Sequence, residues 1–158
     1  MQSISSRRTF ITASGAALAA VPLMPAQAAT QGAESARVVR RIIDAVNAGK
    51  PDVFFSLLSP AARWRAYDAA IEGGHAEYKG KEEIARYFEQ LMSHYRIEHF
   101  EVDKMVAQGN SVVCFCSESV FNSKTQRREE HALVQHWTVE QGRVSRIDEY
   151  IVAVRRPA

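Results

Sequence analysis

The stretch VSRIDEYI, residues 144–151, sets two carboxylic acids side by side, Asp148 and Glu149, in a run that otherwise reads as a β-strand. Neighbours in a strand point to opposite faces, so only one of the two can face an interior. A carboxylate that loses hydration there becomes a usable general acid or base near neutral pH. His75, beside the Gly73-Gly74 hinge of IEGGHAEYKG, is a second titratable group, either a proton carrier or a surface-loop histidine without a role. His131 and His136 are five apart on one predicted strand and so fall on opposite faces, and a predicted helix end separates His94 from His99. These spacings predict no metal site and no cofactor.

The elements that must position these groups follow from periodicity. Val39, Ile42, Ile43 and Val46 recur at helical spacing over 36–48, and Gly49 with Pro51 stops the run. A shorter helix is expected from Pro51 to Pro60, with Phe54, Leu57 and Leu58 on one face. ARWRAYDA then alternates as a strand, IEGGHAEYKG reads as a loop, and KEEIARYFEQLMSHY places Ile84, Tyr87, Phe88, Leu91, Met92 and Tyr95 on one helical stripe. Glu82 and Glu83 sit in its first turn, where the helix dipole favours acids. Four strands follow over 97–107, 111–122, 130–139 and 143–154, joined by short polar links, as an antiparallel meander. Helices first and strands afterwards predict an α+β fold: a cone-shaped curved antiparallel sheet wrapped around a long helix, with an N-terminal helical hairpin and a cavity at the open end.

The whole chain bounds the function. At 158 residues, 46% hydrophobic and 24% charged, it suits a single soluble domain. Its beginning differs: SRRTFI has the twin-arginine form of an export signal, a short uncharged apolar run follows, and Ala26-Gln27-Ala28 has the small-x-small form of a cleavage site. The expected division is a signal peptide over 1–28 and one domain over 29–158, periplasmic or secreted. Removing 1–28 takes away Arg7 and Arg8 and no acid, so the 20 Lys and Arg fall to 18 against 18 Asp and Glu. A neutral domain without a basic run excludes a nucleic-acid binder, and processing leaves no stable membrane anchor. Cys114 and Cys116, two apart in SVVCFCSESV, share one strand face at a spacing poorly suited to a disulfide.

This order of elements, with AVNAGKPDVFFSLLSP, YKGKEEIARYF and HWTVEQGRVSRIDEY as local marks, resembles the nuclear transport factor 2-like superfamily, in its SnoaL-like and ketosteroid-isomerase-like branch. The resemblance covers about residues 34–154 and implies a cystatin-like roll around an apolar pocket. The family's register sends Ile147, Glu149 and Ile151 inward and Arg146, Asp148 and Tyr150 outward. Epoxide hydrolases of the family carry a working aspartate where Glu149 falls, which implies that Glu149 is either a catalytic acid or base or a carboxylate at the pocket mouth, solvated or paired with an arginine. The isomerases' oxyanion-hole tyrosine and acid correspond to Ile42 and Gln135, and their proton-shuttling aspartate to Ala66, with Asp68 two residues on. The hydrolases' arginine and second aspartate correspond to Ser117 and Ser119.

The implied interior set is Trp64, Asp68, Phe115, Ser117, Ser119, His131, Leu133, Gln135, Trp137 and Glu149, with His75 at the pocket mouth. Trp64 and Trp137 serve either as pocket walls or as plain core. Gln135 either polarises a carbonyl or is satisfied by the next strand. The implied ligand is a small hydrophobic molecule, and the implied chemistry is proton transfer: cyclisation, isomerisation or dehydration next to a carbonyl. A non-catalytic binder and an interaction module are the competing readings. The opposite sheet face is expected to carry Val112, Cys114, Cys116, Val120, Val152 and Val154, a candidate homodimer interface.

Overall fold

The computed structural model describes residues 26–68 and 71–155. The twin-arginine segment lies outside the described residues. Helices α1 (Ala26–Asn47) and α2 (Pro51–Leu57) lead into β1 (Leu58–Tyr67), then β2 (His75–Lys79) and α3 (Gly80–Met92). The chain finishes with β3 (Tyr95–Gln108), β4 (Ser111–Asn122), β5 (Arg127–Glu140) and β6 (Arg143–Arg155). The six strands form one curved sheet in the order β2-β1-β6-β5-β4-β3. The last four make the expected antiparallel meander, whereas β1 and β6 pair in parallel. No described helix is long and apolar enough to cross a membrane.

The helices cover one face of the sheet, α1 against β3 and β4 and α3 against β1 and β2. The core fills the space between: Val39 and Ile42 of α1, Ile84 of α3, and Trp64, Cys114, Leu133, Trp137 and Ile147 of the sheet are all buried. Glu83 caps the start of α3, its carboxylate accepting the Lys79 N–H at 2.8 Å.

Four differences from the sequence reading have physical causes. Helix α1 begins ten residues before its apolar stripe, because its first part packs on the β3–β4 hairpin: Ser35 Oγ donates to Gly109 O at 2.9 Å. A side chain at Gly32 would come within 3.3 Å of Ala107 O, so glycine permits that close approach. Helix α2 stops at Leu57, and Pro60 falls in β1, where the pairing with β6 shifts register between Leu58 and Arg63 and a missing N–H is tolerated. The loop expected at IEGGHAEYKG turns at Gly73, with φ of 78°, and then supplies the short edge strand β2.

The fourth difference is the orientation of β4. Val112, Cys114, Cys116 and Val120 point into the core, not outward as expected, and the odd-numbered residues face out. Val154 of β6, also expected outside, pairs with His131 beyond a register shift and lines the cavity. Apolar side chains and free cysteines are among the residues most often buried, and here they claim the inner face.

Candidate active site

Inward-facing residues of all six strands, together with Phe54 of α2 and one face each of α1 and α3, surround a cavity of about 320 Å³. Its wall is mostly aromatic and aliphatic. Trp64 packs edge-on to Phe88, with ring centroids 4.8 Å apart, and lies 6.4 Å from Trp137. Tyr78 stacks on Tyr87 at 4.2 Å. Both tryptophans are therefore core and pocket wall at once, which joins the two readings the sequence left open.

Glu149 enters this cavity from β6, and its Oε2 accepts the Gln135 Nε2–H from β5 at 2.7 Å. The two residues are direct cross-strand partners, so the strand register builds this bond. Glu149 is part-buried and lines the cavity. Burial consequently pushes its carboxyl up to about 7; the Gln135 hydrogen bond and His131 oppose the rise, while Glu118 and Asp68 add to it. Gln135 thus positions the carboxylate, and its own Oε1 has no partner among the described residues.

A second polar chain lies beside this pair. His131 Nδ1 is 2.8 Å from Glu118 Oε1, and its Nε2 is 3.4 Å from Glu129 Oε2. Asn122 Nδ2 donates to Glu129 Oε1 at 3.2 Å. The bond to Glu118 raises the His131 pKa against the opposing effect of burial, and Glu129 adds to the rise. Tyr87 is pushed far above the ordinary phenol value, first by burial and then by the Glu149 charge, so it stays a neutral hydrogen-bond donor.

Of the residues expected inside, Trp64, Asp68, His131, Gln135, Trp137 and Glu149 line the cavity. Phe115, Ser117 and Ser119 do not. They lie on the outer face because β4 is turned over, with Phe115 44% exposed and Ser117 Oγ 3.4 Å from Asp103 Oδ1. His75 is also corrected: it pairs with Tyr67 across β1–β2, stacks on that ring at 5.8 Å on the outer face, and is exposed. Asp148 faces outward as expected, 2% exposed, its carboxylate held by Arg65 Nε at 2.6 Å and Arg146 Nε at 2.8 Å.

Glu118 and Glu129 were missed as cavity residues. Glu118 shares a face with Val112, Cys114, Cys116 and Val120, so the apolar alternation of β4 itself carried the signal. Glu129 is followed at period 2 by His131, Leu133, Gln135 and Trp137, and β5 begins earlier than its apolar run.

A curved six-stranded sheet with three helices and a cavity at its concave face is the nuclear transport factor 2-like architecture. Solved structures agree. A nuclear transport factor 2-like protein from Burkholderia xenovorans LB400 is 21% identical, with a TM-score of 0.63 over 76% of this chain and 90% of that one. An LEH-like epoxide hydrolase from M. tuberculosis is 15% identical, with a TM-score of 0.62 over 76% and 84%. A candidate ketosteroid isomerase from Kribbella flavida is 19% identical, with a TM-score of 0.59 over 81% and 84%. At these identities the likeness concerns the fold. The family model for the SnoaL-like domain matches residues 39–147, and the chain belongs to that family. No curated protein matches it.

Proposed function

We propose that this chain is a SnoaL-like enzyme that moves a proton next to a carbonyl group of a small hydrophobic substrate, with Glu149 as the general base. The observation that carries this reading is a cavity-facing carboxyl whose pKa is held near 7, where it can both take and return a proton under physiological conditions. In the reaction, Glu149 removes a proton from the carbon beside the carbonyl, and the electron pair moves onto the carbonyl oxygen. Tyr87, a neutral phenol on the same wall, supports that oxygen as a hydrogen-bond donor. Return of the proton at another carbon gives isomerisation, and loss of a leaving group gives dehydration. Asp68, also on the wall, is the second proton carrier.

Two companion readings are proposed with it. The chain is exported by the twin-arginine route to the periplasm or beyond, and it pairs with a second copy through the outer sheet face. That face presents Phe115, Tyr150 and Val152 in place of the cysteines first expected there.

Glu149→Gln keeps the acceptor for Gln135 and removes the base. Turnover of a carbonyl substrate should fall by about 10²- to 10⁴-fold with binding retained. The wild-type kcat/KM should rise with pH through about 7 and then level, since only ionised Glu149 accepts the proton. A variant with undiminished turnover would remove Glu149 from the mechanism, and binding without turnover in wild type would leave a binding protein.

A further inference from the structure

The cavity wall is charged almost wholly in one sense. Asp68, Glu118, Glu129 and Glu149 bring four carboxyl groups to it and His131 brings one imidazole, while no described lining residue is a lysine or arginine. The imidazole is already enclosed between Glu118 and Glu129. Glu149, by contrast, is bonded to a neutral amide. Much of the remaining wall is aromatic, and ring faces present negative potential to whatever lies over them.

An independent observation points the same way. Gln135 is 3% exposed and on the cavity wall, and its amide oxygen has no donor within the described residues. A buried acceptor without a partner is costly, and a ligand bearing N–H groups would relieve it. Trp64 Nε1 and Trp137 Nε1 are likewise unpartnered, and an oxygen on the same ligand would serve them. No group of three or more His, Cys, Asp or Glu among the described residues is arranged to hold a metal ion, so the cation this wall suits is organic.

We propose that the cavity selects an organic cation: a small apolar carbonyl compound carrying an ammonium group, its charge seated against Glu149 and Glu118 and its apolar part against Trp64 and the rings of α3. The inference rests on reading this cavity as the substrate site. Charge complementarity then decides among ligands of equal size, since an anion meets the carboxylates and a neutral molecule brings no charge to balance that of Glu149. A bound cation also favours ionised Glu149. Burial holds that carboxyl at about 7, with Glu118 and Asp68 adding to the rise, so cation binding near neutral pH expels protons from the site.

The test uses three probes of nearly one shape: phenethylammonium, its neutral isostere propylbenzene, and the anion hydrocinnamate. Binding is followed by tryptophan fluorescence and by calorimetry in buffers of different ionisation enthalpy. Phenethylammonium should bind at least about tenfold more tightly than propylbenzene, with hydrocinnamate weakest, and only the cation should release protons. Glu149→Gln should abolish the proton release, and Glu118→Gln or, at the end of β1, Asp68→Asn should narrow the gap between cation and isostere. Equal or tighter binding of the neutral or anionic probe would overturn the proposal. Turnover of neutral ketones without cation preference would sink this inference and leave the base intact; cation preference without any turnover would do the reverse.

Discussion

Glu149 carries a cost that its stability should reveal. Its folded-state pKa of about 7 lies above the ordinary 4.5 of an unfolded glutamate, so the fold favours the protonated form. The associated stability is fully present below the unfolded value and is lost as pH rises through about 7. Wild type should therefore lose up to ~3 kcal/mol relative to Glu149→Gln between about pH 5 and about pH 8. Chemical denaturation of both proteins across that range measures it, and parallel pH profiles would mean that Glu149 is not buried in an uncharged setting. At this scale the sequence was half legible. Strand alternation separated Asp148 from Glu149, but only the family register said which faced inward, because Arg146, Asp148 and Tyr150 alternate with Ile147, Glu149 and Ile151 on a strand buried in the middle of a sheet. Asp148 in fact loses nearly all its exposure on the outer face, covered by Arg65 and Arg146, so burial alone would not have found the cavity acid.

The orientation of β4 decides what the sheet offers on each side. With Cys114 and Cys116 inward, both thiols are free and buried in the core. Thiolate reactivity needs access as well as ionisation; the hydrogen bond between the two thiols, with burial, pushes Cys116 up and itself draws Cys114 down, so for Cys114 it is the lack of access that slows reaction. A disulfide-exchange reagent should thus titrate both thiols quickly in denaturant and only slowly in the native protein. Fast native reaction would put the cysteines on the outer face after all. Seven element assignments, α1 through α3 with the four strands of the meander, followed from apolar periodicity, and the start of α1 and the end of α2 moved where tertiary packing acted. The short β2 escaped because HAEYK at a sheet edge is only five residues long and turns just Ala76 and Tyr78, both part-buried, inward. For β4 the matching of Ser117 and Ser119 to family catalytic residues overrode a cleaner physical signal: the even-numbered residues from Val112 to Cys116, and Val120, are all apolar. Three of the four misplaced site residues, Phe115, Ser117 and Ser119, trace to that single one-residue phase, and His75 is the fourth.

At the scale of the whole molecule, the β3–β4 hairpin is packed by a helix whose first part the sequence did not mark. Helix α1 starts at Ala26, and its beginning lies against the far hairpin of the sheet, where Ser35 bonds to Gly109 and Gly32 allows the backbone of Ala107 to approach. Those residues carry no apolar stripe, so periodicity placed the start at residue 36. The distinction matters for a chain proposed to be cleaved after Ala28, because a product beginning at Ala29 keeps both contacts and one beginning at Ala36 loses both. Loss of a part-buried hydrogen bond and of the packing around it is worth about 1–3 kcal/mol. In a domain of this size that corresponds to a fall of roughly 3–10 °C in Tm. The product beginning at Ala29 should melt with the full chain, whereas that beginning at Ala36 should melt several degrees lower. The α1 residues that line the cavity, Ile42, Ile43 and Val46, are retained in both products, so each should still bind phenethylammonium below its own Tm. Equal melting of the two products would show that the first part of α1 adds nothing to the fold, and that its contacts with the β3–β4 hairpin are too weak to hold the helix against the sheet.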